Sequence, residues 1–291
     1  MSSPDGVGRT RPVEVTVDGM TLSGLLARPD GEARALIVAL HGHGMSCRYF
    51  AGPADPDTSL LEIGAKLGYT VWAPDRVGYG KSADVDPGEL PMLTQAETLI
   101  RTVKTVSDGW GSGAGCFLVG HSFGLKLALA MAASPNALPF LGIDGSGSGL
   151  TLTFEPGVTP PQPQPGDLNP SWGPRSLYPE RTFERGVLPV APMPATPPRE
   201  VNEWAGDFLG FADRITVPVS FTFGDHERLW VLSEDHFADL RAALVRSPRV
   251  EVHVQSGAGH NVSLSRAARA YHLRALAFAE VCMLAAGREA T

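Results

Sequence analysis

A largely parallel α/β sheet, covered by helices on both faces and interrupted by one long insertion, is the fold class the sequence predicts. Three observations carry it. Residues 35–40, Ala-Leu-Ile-Val-Ala-Leu, form a continuous apolar run, which suits a strand buried on both faces. Around it, strand-like runs alternate with helix-like ones, the rhythm of strand-helix-strand units. Thirteen of the 25 prolines crowd between Pro156 and Pro198, a window with little periodic apolar pattern, and the regular elements fall on either side of it.

Taken in order, the chain opens with a hairpin, residues 13–17 and 20–27 flanking the turn pair Asp18-Gly19. After the strand at 35–40, residues 59–67 have helical spacing and 69–73 read as a strand. Residues 93–106 predict an amphipathic helix, 116–119 a short strand, and 122–133 an apolar helix stopped before Pro135. A strand follows at 138–143. Beyond the proline window come a strand at 217–223, a helix at 233–246, a strand at 250–254 and a final helix at 263–286. The expected organisation is a core of residues 1–144 and 212–291, with 145–211 inserted as a lid or cap. A structureless stretch of that length is unusual inside a compact domain. The Gly-Ser run at 145–149 is a candidate hinge.

Composition removes several function classes. With 24 Lys+Arg against 31 Asp+Glu, the net charge is −7, so there is no basic footprint for nucleic acid. No apolar run approaches the ~18 residues a membrane span needs. The first 17 residues carry Asp5, Arg9, Arg11 and Glu14 and lack the apolar centre of a signal peptide. Cys47, Cys116 and Cys282 are odd in number and scattered, unlike a zinc or disulfide framework. A reducing cytoplasm and a small-molecule partner are the expectations.

The chemistry concentrates in Gly120-His121-Ser122-Phe123-Gly124, a G-x-S-x-G between a short strand and an apolar helix. A serine on so tight a turn takes a strained backbone, small flanking residues avoid clashes, and the helix N-terminus favours a developing negative charge. A hydroxyl becomes a good nucleophile only when a base takes its proton. Among eight histidines, His260 closes Ser256-Gly257-Ala258-Gly259-His260, directly after a strand, where sites are built in parallel sheets. An acid must orient that imidazole. Asp225 and Glu227 both follow the strand at 217–223 and either can serve; Asp144 is a weaker third candidate.

These residues resemble the α/β-hydrolase fold superfamily, in its serine-nucleophile branch. The spacing usual in that family, three residues after a glycine at this strand end, selects Glu227, with Asp225 second. Leu40-His41-Gly42-His43-Gly44 is similar to the family's H-G-x loop, which implies backbone donors at His43 and Phe123 for an oxyanion. His41 and His43 could also be spaced as metal ligands, but no partner cluster is near, so neither metal nor organic cofactor is expected. The segment from Pro74 to Ser82 matches the family's P-D-x-x-G-x-G-x-S; Asp75 there is read as a backbone ligand, and a P-loop would need glycine in its place. The resemblance covers residues 13–145 and 212–286.

Serine at the nucleophile position implies acyl transfer: an esterase- or thioesterase-like enzyme acting on a small, largely apolar ester or thioester, with a carrier-protein-bound substrate as one form. Met45, Tyr49, Trp172, Trp204 and Trp230 are the candidate substrate contacts. The alternative is a hydrolase-like eliminase or cyclase of natural-product biosynthesis, expelling acetate from an acetylated tetronate-type ring with His260 as base. Twenty Arg against four Lys fits a GC-rich actinobacterial genome of that kind.

Overall fold

The computed structural model describes residues 9–86, 90–154, 169–192 and 200–289. Among them, eight strands form one sheet: β1 (Arg11–Val17), β2 (Met20–Ala27), β3 (Leu36–Leu40), β4 (Thr70–Pro74), β5 (Cys116–His121), β6 (Phe140–Ser146), β7 (Val219–Gly224) and β8 (Val250–Gln255). Their spatial order is β1-β2-β4-β3-β5-β6-β7-β8. The pairs β1–β2 and β2–β4 are antiparallel and the rest parallel. The β1–β2 turn places Asp18 at φ 51° and Gly19 at φ 80°, the doubly positive geometry that a two-residue hairpin needs.

Six helices accompany the sheet: α1 (Leu60–Lys66), α2 (Met92–Trp110), α3 (Phe123–Ala133), α4 (Glu200–Leu209), α5 (Glu234–Ala243) and α6 (Ala268–Glu289). The two-residue period of β3 divides them. Leu36, Val38 and Leu40 pack with Leu99 and Val103 of α2 and with Leu125 and Leu129 of α3. Ile37 and Ala39 face the other way, onto Leu61 of α1 and Leu276 and Ala279 of α6. Burial on both faces is why β3 reads as an unbroken apolar run. From β3 the chain steps to β4 and then crosses back to β5, so the loops after β3 and β5 part in opposite directions. Crevices at such switch points hold ligands in open parallel sheets. Among the described residues, no helix is long and apolar enough to cross a membrane.

The structure moves several boundaries. β6 starts at Phe140, after Pro139, which has no N–H to give a ladder. It runs on through Ser146, so two residues of the expected hinge are strand. Gly147 is also packed in: a Cβ there would lie 2.8 Å from His260 Cε1. Residues 262–264 form a 3-10 turn, and α6 begins only at Ala268, once Ser265 Oγ has accepted the Ala267 N–H at 3.2 Å. Helix α4 lies in the insertion, where no regular element is expected. Its signal is Trp204 and Phe208, four residues apart and both buried, with buried Phe211 just past its end. Residues 155–168 and 193–199 of the expected lid, and residues 1–8 of the N-terminal stretch, lie outside the described residues.

Candidate active site

Ser122 stands between β5 and α3 with φ 51° and ψ −118°, conformations that a side chain other than glycine's rarely adopts. The flanking glycines permit this. A Cβ on Gly124 would meet Leu40 O at 2.0 Å, and one on Gly120 would meet Leu125 Cα at 2.4 Å. The bend is tied from both sides: Ser122 N–H donates to Ser146 O at 2.7 Å, and Ser122 O accepts from Leu125 N–H and from Ser148 Oγ, each at 3.0 Å.

His260 lines the same pocket as Ser122. Its Nδ1 lies 2.9 Å from Oε2 of the fully buried Glu227, whose Oε1 accepts the backbone N–H of Arg228 at 3.0 Å and of Leu229 at 2.9 Å. With its acceptor sites so occupied, the Glu227 carboxylate makes Nδ1–H the donor and leaves Nε2 as the acceptor nitrogen. Asp225 does not reach His260. Its Oδ2 accepts from Gly257 N–H at 3.0 Å and Oδ1 from Ala258 N–H at 3.1 Å. Burial raises its pKa, but these amide bonds outweigh burial and hold the carboxyl below its ordinary range. It therefore shapes the loop that carries His260, and its place among the acid candidates is corrected. Asp144 is also corrected: it is enclosed within β6, where burial pushes its carboxyl up to about 6.

The loop after β3 forms the opposite wall. His43 faces the pocket, and burial first, then the charges of Arg76 and Lys126, lower its imidazole to about 4, so it is neutral at pH 7. His43 and Phe123, the first residue of α3, line the same pocket as Ser122. Asp75 accepts from Cys47 N–H and Ser23 Oγ, each at 2.8 Å, bracing the turn after β4 against this loop. Residues 186–191 of the insertion are sewn to the same loop. Ala191 N–H donates to Gly44 O at 2.9 Å, Met45 bridges Val190, Ser46 Oγ donates to Pro189 O at 3.0 Å and Arg48 to Gly186 O at 2.8 Å.

The pocket they enclose has a volume of about 510 Å³. Of the five sequence candidates for substrate contact, Met45, Trp172 and Trp230 line it, and Trp230 Nε1 is fixed on Gly147 O at 2.9 Å. Tyr49 and Trp204 do not. Tyr49 is fully enclosed, stacked 4.4 Å from the His121 ring on the far side of β5's end. Trp204 lies behind the pocket with Nε1 on Gly149 O at 2.9 Å. Both are corrected to packing roles. Sequence reasoning missed Lys126, which lines the pocket one helical turn after Ser122, its ammonium 5.0 Å from the Trp204 ring centre and 5.8 Å from that of Trp230. The signal was available: it is the lone charge in an otherwise apolar helix. Among the described residues, no cluster of three or more His, Cys, Asp or Glu is placed to hold a metal.

Comparison with known proteins bears on this arrangement. A model of the alpha/beta hydrolase family matches residues 37–272. No curated protein matches the chain by sequence. Among solved structures, it is similar to a thermostable carboxyl esterase from Bacillus coagulans, with a TM-score of 0.68 at 17% identity over 95% of this chain and all of that one. A lipase in its open form gives 0.66 at 16% identity, covering 94% of this chain and 99% of that one. The thioesterase domain from the curacin biosynthetic pathway gives 0.60 at 18%, covering 92% and 99%. At these identities the likeness is one of fold.

Proposed function

Given that the chain belongs to the alpha/beta hydrolase family, we propose that it is a serine hydrolase that cleaves a small, largely apolar ester or thioester. One observation carries the reading: a serine held in a strained turn shares a pocket with a histidine whose far nitrogen meets a buried carboxylate at 2.9 Å. In the reaction, Ser122 Oγ adds to the substrate carbonyl carbon while its proton passes to His260 Nε2, and the carbonyl electron pair moves onto oxygen. Glu227 holds the imidazolium through Nδ1–H. The His43 and Phe123 N–H groups receive the oxyanion, each such donor being worth about 3 kcal/mol of transition-state stabilisation. His260 returns the proton to the departing alcohol or thiol as the C–O or C–S bond breaks. Water, activated by the same nitrogen, then releases the acid from the acyl-serine. Met45, Trp172 and Trp230 give the acyl group an apolar surface. Elimination with His260 as the base would have no use for the strain at Ser122, which favours the covalent route.

Intact mass after treatment with a small fluorophosphonate tests the reading. One adduct on the wild type and none on Ser122→Ala is the expected result, followed by turnover of 4-nitrophenyl butyrate. No adduct on folded wild type overturns it. The two acids are separated by kinetics. Glu227→Gln is expected to lower kcat/KM by about 10³-fold or more, because the imidazole loses the partner that sets its tautomer. Asp225→Asn, which loosens only the loop, is expected to cost less than about tenfold. The reverse ranking would return the acid to Asp225.

A further inference from the structure

Arg76 is enclosed to 1% exposure between the loops after β3 and β4. Its guanidinium lies 4.6 Å from the centre of the Phe123 ring and 4.9 Å from that of Tyr79. Burial lowers its pKa to about 10, which leaves it charged at neutral pH, and among the described residues no carboxylate pairs with it. A buried charge without a counter-ion is expensive, and packing alone would be served by an apolar chain.

Besides a side-chain hydrogen bond to Tyr79, its polar contacts converge on one peptide group. Nη2 donates to Gly42 O at 3.2 Å. The backbone N–H of Arg76 donates to His41 Nε2 at 3.1 Å, so His41 carries its ring proton on Nδ1. That Nδ1–H lies 2.9 Å from the same Gly42 O. His41 is fully buried and neutral, its pKa pushed well down by burial and then by the Arg76 charge. Gly42 O thus accepts two hydrogen bonds, one of them from a cation. Its peptide is trans, so the N–H on its other end, that of His43, points away from both donors.

We infer that Arg76 is a positioning residue that polarises the Gly42–His43 peptide from behind and thereby strengthens and aims the His43 N–H at the oxyanion. The inference rests on the serine-hydrolase reading above. The cation stands at the negative end of the peptide dipole in a site shut off from water, where such a charge is little screened. By stacking on Phe123 it also registers the second donor, so one side chain sets both.

The test uses the full chain with Arg76→Met, Arg76→Gln and Arg76→Lys. It reads kcat and KM on 4-nitrophenyl butyrate, the rate of phosphonylation by a small fluorophosphonate, and the melting temperature. Arg76→Met risks unfolding; Arg76→Gln can keep a bond to Gly42 O while losing the charge. For whichever neutral variant folds, kcat is expected to fall about 30-fold, less than the ~10²- to 10³-fold cost of losing a donor outright. KM should stay within about threefold and phosphonylation should slow in parallel, while Arg76→Lys recovers kcat to within about fivefold of wild type. Folded Arg76→Gln with unchanged kcat overturns the inference, as do equal losses in the Lys and Gln variants or a loss confined to KM. Wild type that takes no fluorophosphonate overturns the hydrolase reading itself. Wild type labelled at Ser122 while Arg76→Gln reacts as fast overturns the role of Arg76 alone.

Discussion

Replacing Ser122 by glycine is expected to abolish ester turnover and to raise the melting temperature in the same protein. Turnover should fall by about 10⁴-fold or more, because on the proposed mechanism the nucleophile is gone while the rest of the site stays. Stability should rise because Ser122 sits at φ 51° and ψ −118°, where a side chain costs about 1–3 kcal/mol and glycine pays nothing. Part of that gain is returned through the greater chain entropy of unfolded glycine, leaving about 1 kcal/mol, or roughly 2 °C in a protein of this size. Ser122→Ala loses the hydroxyl and keeps the strain, so it should be as inactive without that gain. Calorimetry on the two variants settles the matter. A glycine variant less stable than the alanine variant would mean that the turn is not strained.

The second large effect is acid lability. Burial pushes the imidazoles of His41 and His121 well down, and those of His43 and His272 to about 4, against about 6.5 in an unfolded chain. Below pH 6.5 the unfolded chain therefore binds protons that the native one refuses, and stability present above that pH is lost as the pH falls towards 4. Asp144 works against this. Its carboxyl is raised to about 6, so the native state takes up one proton early and gains relative stability. Taken over these four rings and Asp144, the balance is a net uptake on unfolding of roughly three protons near pH 5, a slope of about 4 kcal/mol per pH unit, to which the lowered His236 adds in the same direction. Urea unfolding between pH 7 and 4.5 reads it directly. His272 is the natural probe: it lies away from the pocket, with Nδ1 2.7 Å from Thr58 O and Nε2 2.9 Å from Ser263 Oγ. His272→Gln should flatten the slope by about one proton. A midpoint that does not move between pH 7 and 5 would show that these rings are hydrated.

What was legible in the sequence is what the backbone demands locally. The strand at β3 announces itself because both faces need apolar side chains, and G-x-S-x-G because only glycine fits beside Leu40 O and Leu125. The choice between Asp225 and Glu227 is not local. Both follow β7, and only the folded loop turns the first towards the amides of 257–258 and the second, two residues on, towards His260. Tyr49 and Trp204 fail as substrate contacts for a related reason: an aromatic side chain states that it will be buried, not on which side of a wall. Arg76 was hidden inside a turn motif whose glycines and aspartate explain the backbone by themselves. Lys126 was hidden in a helix apolar on every face, where a single cation reads as an exception until the pocket is seen.

The seam between residues 186–191 and the loop after β3 carries a consequence for how this enzyme could diversify. A pocket wall borrowed from an insertion is ordinarily free to change length and composition, since loops tolerate variation better than the sheet beneath them. Here the wall is hydrogen-bonded at Gly44, Ser46 and Arg48 and bridged at Met45, all within five residues of His43. A new wall therefore brings a new setting of that loop. On the proposed mechanism, a change of wall is expected to alter substrate range and rate together.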